Sequence, residues 1–500
     1  MPLDSDEARK TATGHSCGTL PNITKTGHIM KKLLLFLTCL LTSVIVYSQI
    51  TFQRHYSFTN YEIGSSVLQT NDGGYIIAGS TGNTAGSGFI LRTNEYGDTL
   101  WSRAYGGIYS HVFYSIDNAN DSGYILCGVT HGLVYYGYNY LFLKIDSNGD
   151  TLWQKVFGGY GDEDANCAIP TSDGGYAVAG VSCSFGQGFS SIYFVKTNSN
   201  GDTLWTKAYD RFWANYGWDI KQLDDNGYII LGTIKKISSG DDWDINVIRT
   251  NENGDTLWTK TYGGTARDCA SSIQKTNDGG FIIFGSTKSF GAGGFDAYVI
   301  KINSTGIVQW SKTYGGINDD NAAEGITTND NGFAFIGTTN CYGAGGNDVY
   351  LVKTNSSGDT LWTRTFDSDW DDYGCSIKET YDEGFIIAGW SYRQYPTIYN
   401  AYLIKTNASG HVVGIDDYNK SLNDRIIVYP NPTTGKVNIQ ISKHFGQIKT
   451  LEVFDCIGQL QFVQTDNFSD INISSLTSGL YFIVLTNLDN ERLTSKIIKE

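Results

Sequence analysis

The chain has few charged residues, no long apolar run and none of the short motifs that mark common hydrolases. Only 17% of its 500 residues are charged, and its main apolar segment, Leu33–Tyr47, is shorter than the ~20 residues that a bilayer-spanning helix needs. No GxSxG, HExxH or phosphate-binding glycine loop is present, and the histidines do not cluster. We therefore predict no transmembrane segment and assign no catalytic residue.

Basic charge and a cysteine framework are lacking as well. The formal net charge of −15 argues against a nucleic-acid partner. Beyond residue 49 the cysteines number seven, an odd count in no common register and without a CxxC pair. This pattern indicates neither a disulfide framework nor a structural zinc site. We predict no tightly bound cofactor.

The chain does contain an internal repeat of about fifty residues. One marker is a tryptophan that recurs every 52 or 53 residues, at Trp101, Trp153, Trp205, Trp258, Trp310 and Trp362. A second marker, Asp-x-Gly followed by an aromatic residue, begins at Asp72, Asp121, Asp173, Asp225, Asp278, Asp330 and Asp382. Repeats of this length that cannot bury their apolar faces alone are typical of propellers and arrays.

The fifth unit shows how each repeat folds. Its sequence predicts four strands, Ala270–Thr276, Phe281–Ser286, Tyr298–Asn303 and Ile307–Tyr314, joined by glycine-containing turns. Four antiparallel strands make one propeller blade. The seven units therefore predict an all-β, seven-bladed β-propeller over residues 50–414.

The two ends of the repeat region predict how the ring closes. The seventh unit has three strands but no tryptophan strand. The segment Ile50–Tyr56 matches the fourth strand Thr99–Tyr105, with Phe52 in place of tryptophan. We expect this N-terminal strand to complete the last blade and so remove both exposed sheet edges.

Two basic positions recur in every unit. One lies on the third strand, at Arg92, Lys144, Lys196, Arg249, Lys301, Lys353 and Lys405. The other follows the tryptophan position by two residues, at Arg54, Arg103, Lys155, Lys207, Lys260, Lys312 and Arg364. They could form anion-binding rings, but one copy per blade favours packing and ion pairs of the scaffold.

The irregular loops are the better candidates for ligand binding. In a propeller, the loops after the second and fourth strands emerge on one face, which we call the irregular face. Five tryptophans outside the repeat marker fall in or beside these loops: Trp213, Trp218, Trp243, Trp370 and Trp390. Exposed rings beside Asp and Asn are typical of sugar binding, although the rings could equally pack against the blade tops.

Polar residues also recur at the start of each first strand. They are Glu62, His111, Asp164, Asn215, Asp268, Asn321 and Asp372. These side chains could encircle the channel mouth and hold Ca²⁺, or they could cap the turns between blades. We include Asp164, Asp268 and Asp372 among the predicted ligand-binding residues. The same three are the acids that a polysaccharide-cleaving enzyme would use.

The N-terminus carries a predicted signal peptide. Met30-Lys31-Lys32 precedes the apolar segment, and small residues before Ser48 and Gln49 predict cleavage there. Residues 30–49 are then the signal peptide, and residues 1–29 are a mis-called extension of the gene.

The C-terminus carries a different unit after a linker over residues 415–427. It opens with Tyr429-Pro430-Asn431-Pro432 and ends with Ser478-Gly479-Leu480-Tyr481 and a basic-apolar tail. Several short strands with proline and glycine turns predict a small Ig-like β-sandwich. Residues 428–500 closely resemble the type A sorting domain of the type IX secretion system of Bacteroidetes. This resemblance implies recognition by that machinery and delivery to the cell surface or the medium.

The repeats are similar to those of bacterial seven-bladed propeller proteins with Asp-Gly-Gly-Tyr and Gly-Asp-Thr-Leu-Trp motifs. That resemblance implies a fold and no particular chemistry. We predict a monomeric, secreted or surface-bound module that recognises a glycan, matrix or surface protein through the irregular face. An extracellular polysaccharide hydrolase or lyase and a purely structural surface protein remain alternatives.

Overall fold

The computed structural model describes residues 49–500, except for short gaps at residues 60, 83–85, 107–108, 132–136, 237–239, 345, 369–370, 395–396, 413–425, 430–432, 442–446, 456–457, 467, 469 and 489–491. Within this described part the regular structure is entirely β, without an α-helix. No helix there is long and apolar enough to cross a membrane. Trp370 and Ser48, together with the signal segment before it, lie outside the described residues.

The repeat region forms seven four-stranded antiparallel sheets. The strands of the first three sheets are β2 (Glu62–Gln69), β3 (Tyr75–Thr81), β4 (Ser87–Thr93) and β5 (Thr99–Tyr105); β6 (Ser110–Asn118), β7 (Tyr124–His131), β8 (Tyr138–Ile145) and β9 (Thr151–Phe157); and β10 (Glu163–Pro170), β11 (Tyr176–Ser182), β12 (Ser191–Thr197) and β13 (Thr203–Tyr209).

The next three sheets repeat this order. Their strands are β14 (Ala214–Gln222), β15 (Tyr228–Lys235), β16 (Trp243–Thr250) and β17 (Thr256–Tyr262); β18 (Asp268–Lys275), β19 (Phe281–Thr287), β20 (Asp296–Ile302) and β21 (Val308–Tyr314); and β22 (Asp320–Thr327), β23 (Phe333–Thr339), β24 (Asp348–Thr354) and β25 (Thr360–Phe366). The seventh sheet consists of β26 (Asp371–Glu379), β27 (Phe385–Arg393), β28 (Ile398–Thr406) and β1 (Phe52–Tyr56).

These sheets are repeated like the blades of a β-propeller, and the predicted strands of the fifth unit agree with β18–β21. At the irregular face, β18 and β20 each begin two residues earlier than predicted. The first strand of each sheet also carries a bulge, for example between Ala270 and Ser272. A bulge shifts the alternation of side chains along the strand, which simple alternation in the sequence does not reveal.

The recurring tryptophan joins each sheet to the next. In the turn between the third and fourth strands, a glycine with positive φ lies directly under the tryptophan ring of the preceding sheet. Gly201 has φ 74°, and a Cβ built on it would lie 2.9 Å from the Trp153 ring. The same arrangement places Gly149 under Trp101 and Gly358 under Trp310. Glycine is therefore required twice here, by the backbone conformation and by the ring above it.

Apolar packing between neighbouring sheets forms the rest of the core. One cluster joins Leu68, Ile76 and Ile90 of the first sheet with Phe113 and Leu141 of the second. Each fully buried side chain of this size stabilises the fold by roughly 1.5–3 kcal/mol. The sheets are therefore held face to face by the hydrophobic effect.

The two recurring basic positions form scaffold ion pairs. On the third strand all seven pair with the Asp of the Asp-x-Gly turn in their own sheet, as in Lys196 with Asp173 at 2.8 Å. After the tryptophan position, five of the seven pair with the Asp of the next sheet, as in Lys155 with Asp202 at 2.8 Å. The interpretation as scaffold pairs accounts for these contacts, and no anion-binding ring is needed.

The N-terminal strand β1 lies in the last sheet. It pairs antiparallel with β28, from Phe52 opposite Lys405 to Tyr56 opposite Ala401. Phe52 also lies over Gly97 of the first sheet, as each tryptophan does over its own glycine. The Tyr56 hydroxyl donates a hydrogen bond of 2.6 Å to the Gly97 carbonyl.

The C-terminal unit has two sheets around a separate core. One contains β29 (Ile426–Tyr429), β30 (Lys436–Ile441) and β33 (Asp470–Asn472); the other contains β31 (Ile448–Asp455), β32 (Leu460–Gln464), β34 (Gly479–Asn487) and β35 (Arg492–Lys499). Val437 and Ile471 of the first sheet pack with Val453, Ile483 and Ile497 of the second.

Candidate functional site

Three of the predicted tryptophans meet on the fourth sheet. Trp213 precedes β14, Trp218 lies on β14 and Trp243 begins β16. The ring of Tyr216 lies 5.4 Å from Trp243 and 6.3 Å from Trp218. The Lys235 ammonium lies 5.7 Å from the Trp213 ring and 5.4 Å from the Trp243 ring, so it links the two indoles. We call these five residues the sheet-4 cluster.

Neighbouring sheets extend this cluster. Phe189, in the loop after β11 of the third sheet, stacks on Trp213 at 4.7 Å with planes 8° apart. Its amide also donates to the Trp213 carbonyl at 2.9 Å, which fixes the two backbones together. Arg267, just before the fifth sheet, lies 5.6 Å from the Trp243 ring. Trp213 and Phe189 are 40% and 56% exposed, so the stack forms an open surface.

Other aromatic residues in equivalent loops belong to the repeat. Phe185, Phe290 and Tyr342 each pack on the third-strand tyrosine of their own sheet, at ring distances of 4.9, 5.5 and 5.7 Å. Because the same pair recurs in three sheets, it is a feature of the scaffold. Trp213 and Trp243 are not part of this ring pair. The fifth sheet does repeat the contact of Lys235 with Trp243, because the Lys288 ammonium lies 4.4 Å from the Phe295 ring.

Trp390 belongs to a second aromatic group, on the seventh sheet. It stacks on Tyr373 at 4.0 Å with planes 13° apart, and Tyr399 lies 5.7 Å away. Tyr399 in turn contacts Tyr61 of the first sheet at 4.7 Å. Trp390 is half-buried, so the described contacts are largely packing.

Asp268 and Asp372 require a correction to the predicted site. Both are fully buried. Asp268 accepts hydrogen bonds from the Gly264 amide and the Ser289 hydroxyl, each at 2.7 Å, and Asp372 accepts one from the Ser368 amide at 2.6 Å. They cap the turns between sheets and cannot touch a surface polymer. The turn-capping alternative accounts for these two carboxylates.

The predicted ring at the channel mouth is also out of register in two sheets. The buried capping residues of the third and sixth sheets are Glu163 and Asp320, each next to the residue that the sequence predicted. Asp164 and Asn321 point the opposite way. Asp164 is half-buried, and burial, followed by the neighbouring Asp162 carboxylate, raises its pKa. Of the three predicted acids, only Asp164 remains accessible.

A polar cavity of about 360 Å³ lies where the first strands of all seven sheets converge. Its charged lining is asymmetric. Lys221 pairs with Asp219 at 2.6 Å, and Lys378 pairs with Glu324 at 2.5 Å. Asp219 and Glu324 also accept the amides of Ile273 and Ile377 from the following sheets, each at 2.9 Å, so both are staples between sheets. Asp117 faces both lysines, and burial raises its pKa.

Sequence reasoning missed these channel residues, although a signal was present. At the position of Asp219 and Glu324, four sheets have serine: Ser66, Ser115, Ser272 and Ser376. Aligning the first strands shows charge replacing serine in two sheets. The bulge hides which residue points inward, so the signal becomes clear only with the register.

No group of three or more His, Cys, Asp or Glu side chains suited to a metal ion occurs among the described residues. A calcium ring at the channel mouth therefore has no support from the arrangement of those side chains.

Comparison with known proteins identifies the C-terminal unit. Residues 427–500 match the family model described as a secretion system C-terminal sorting domain. The protein is thus directed by the type IX system to the cell surface or the medium. No curated protein matches the chain.

Solved structures resemble this chain at low identity and with TM-scores below 0.5. Puromycin hydrolase has 11% identity and a TM-score of 0.47, over 86% of this chain and 61% of that chain. The β-propeller domain of the Trilobed protease from Pyrococcus furiosus has 10% identity and a TM-score of 0.41, over 72% of this chain and 100% of that chain. The chain spans about three fifths of the puromycin hydrolase chains. Likenesses of this extent carry no argument about activity.

Proposed function

We propose that the mature protein is a secreted or surface-bound, seven-bladed β-propeller that binds a glycan through the sheet-4 cluster. The observation that carries this proposal is the open surface formed by Trp213, Lys235 and Trp243 together with Phe189. Sugar rings stack on aromatic faces, and ammonium groups bind sugar carboxylates or hydroxyls.

The proposal includes closure of the ring by β1 and a domain division at residues 50–414 and 428–500, with an Ig-like C-terminal unit. Closure is supported by contacts from the last sheet to the first. Arg54 of β1 pairs with Asp98 at 2.7 Å, and the Val67 amide of β2 donates to the Ser376 hydroxyl of β26 at 3.2 Å. The predicted signal peptide over residues 30–49 and a Bacteroidetes source fit a type IX cargo.

Acidic glycans are the favoured class because the cluster carries a basic group. Lys235 lies between two indole faces and takes part in none of the ion pairs in the described chain, so its charge is available to a ligand. Arg267 lies beside Trp243 but already pairs with Asp241 at 3.7 Å, so Lys235 is the cation that a ligand would meet. A uronic acid or sulfated sugar would satisfy both the stacking surface and the Lys235 charge.

The test is a glycan-array and titration experiment on the mature protein, residues 49–500. We expect binding that Trp213→Ala/Trp243→Ala abolishes and that Lys235→Met weakens for acidic glycans at least tenfold, since a lost desolvated contact of about 1.4 kcal/mol has that effect. Phe290→Ala/Tyr342→Ala is the control, because it removes two rings, 45% and 46% exposed, that belong to the repeat. Equal losses in both double variants, or no glycan binding at all, would reject the sheet-4 cluster as the site.

A further inference from the structure

Buried polar side chains meet at the junctions between neighbouring sheets. The first or second residue of a third strand lies beside the residue that caps the next sheet's first strand. Near Gly158 these two residues are Asn139 and Glu163, and near Gly315 they are Asp296 and Asp320. The chemistry of the pair thus differs from junction to junction.

Two junctions combine two buried carboxylates without a basic partner. Between the fourth and fifth sheets, Asp244 and Asp268 also meet, but Lys236 forms an ion pair with Asp244. Between the fifth and sixth sheets the pair is Asp296 and Asp320. Between the sixth and seventh it is Asp348 and Asp372, the second of which feels the charge of the first. None of these last four residues takes part in an ion pair within the described chain.

Two oxygens of these carboxylates have no hydrogen-bond donor. They are Oδ1 of Asp320 and Oδ1 of Asp372, whereas the Asp348 carboxylate receives a backbone hydrogen bond from Ala344. All three side chains are no more than 1% exposed. A buried carboxylate oxygen without a donor costs several kcal/mol, so native proteins almost always supply a partner.

The geometry at the junction between the fifth and sixth sheets suits a small cation. Oδ1 of Asp296 and Oδ2 of Asp320 lie 2.6 and 2.5 Å from the position that a Cβ on Gly315 would take, so they are at most about 5.1 Å apart. Two oxygens that share one calcium ion at ~2.3–2.6 Å are separated by no more than ~5 Å. Amides of Ala292 and Gly316 hold the two carboxylates in place, at 2.9 and 2.7 Å.

The junction between the sixth and seventh sheets has more carboxylates nearby than the junction between the fifth and sixth. Asp367 occupies the chain position of Gly315, and its charge acts on both Asp348 and Asp372. Burial, followed by the charges of Asp367 and Asp371, raises the pKa of Asp348 to about 6. Burial raises the pKa of Asp372 to about 7, although the Ser368 amide opposes this.

We propose that the junction of Asp348 with Asp372 and the junction of Asp296 with Asp320 each bind one calcium ion. The donors are all oxygens, which hard cations such as Ca²⁺ prefer. Asp372 also belongs to the predicted channel-mouth ring, but each site proposed here joins one first-strand residue to a third-strand residue of the preceding sheet. Delivery outside the cell exposes the protein to calcium at the concentrations that extracellular modules use, ~10⁻⁴–10⁻³ M. Water and backbone carbonyls would complete the coordination.

The test is calcium titration by calorimetry on the mature protein after EGTA treatment and its removal, with Mg²⁺ in a parallel titration. We expect two sites that prefer Ca²⁺. Asp348→Asn removes one, Asp296→Asn removes the other, and Asp244→Asn, at the junction that already has Lys236, leaves both. Loss of both sites in either single variant, or of a site in Asp244→Asn, contradicts the assignment.

A second measurement on the unmodified protein keeps the proposal testable if a variant does not fold. Tb³⁺ luminescence excited through tyrosine should appear on binding, because Tyr350 lies close enough to Asp320, and Tyr402 to Asp372, for their charges to act on each other. Calcium should displace it. The proposal is overturned if calcium produces neither heat nor displacement of the luminescence, and if the melting temperature rises equally with and without calcium as pH falls from 8 to 5. That result would show that each carboxylate pair holds a proton instead of a calcium ion.

Discussion

Lys405 offers a sharp test of how the sheets are stabilised. Its side chain is 2% exposed, and its ammonium donates to Oδ1 and Oδ2 of Asp382 at 2.9 and 3.0 Å and to the Thr406 carbonyl at 2.8 Å. Burial lowers its pKa, because the charged form is poorly solvated. Asp382→Ala leaves this ammonium buried with one neutral acceptor.

The cost follows from burial. Removing one partner of a fully buried ion pair costs about 3–5 kcal/mol, and because the Asp382 side chain is 36% exposed we expect a cost at the lower end of this range. The pair of Lys312 with Asp359 is the matched control, because its side chains are 33% and 64% exposed and its Asp also lies on a turn. Loss of an exposed pair costs at most about 1 kcal/mol. We therefore expect Asp382→Ala to be several times more destabilising than Asp359→Ala.

Urea unfolding followed by tryptophan fluorescence measures the difference in the mature protein. A double variant, Lys405→Met/Asp382→Ala, should be more stable than Asp382→Ala alone, because it removes the unpaired charge and leaves an apolar chain. If Asp382→Ala and Asp359→Ala are equally stable, or if the double variant is the least stable of all, the buried Lys405 charge is not the cause of the destabilisation.

Three further outcomes are expected. In EGTA, burial raises the pKa of Asp372 to about 7 in the folded state, whereas its value is about 3.8 in the unfolded chain. The free energy of unfolding should therefore fall as pH rises between these two values, by at most about 4 kcal/mol. Urea midpoints measured across this pH range test the expectation. Gly201→Ala should lower the melting temperature more than Gly174→Ala, because both have positive φ but only Gly201 lies under a ring; equal shifts would assign the whole effect to the backbone. Phe52→Ala should cost about 3–5 kcal/mol in the same urea assay, as for other large buried rings, and a loss below 1 kcal/mol would show that β1 contributes little.

The sequence predicted the scaffold well because the scaffold repeats. Seven copies average out local exceptions, so the strands of the fifth unit and the pairing of β1 with β28 were predicted close to where they lie. The three adjacent acids Asp162, Glu163 and Asp164 could not be ordered, since the bulge in β10 decides which of them points inward.

The sheet-4 cluster was predicted only in part, for a different reason. Trp213 and Trp243 were singled out as departures from the repeat, but the contact that joins them is made by Lys235 on β15. Which side chain comes between two others across a sheet depends on strand register and rotamer. Neither is recorded in the spacing of residues along the chain.

The position of β1 also sets an order of events for the exported chain. The first strand of the mature chain emerges first, yet its partner β28 lies about 350 residues further on. Until that partner arrives, β27, β28 and β1 cannot form one sheet, and long-range strand pairing of this kind is slow. A chain that ends before β28 lacks the partner of β1, so only a chain that includes β28 can form the seventh sheet. A truncated product would leave an open strand edge for proteases to find.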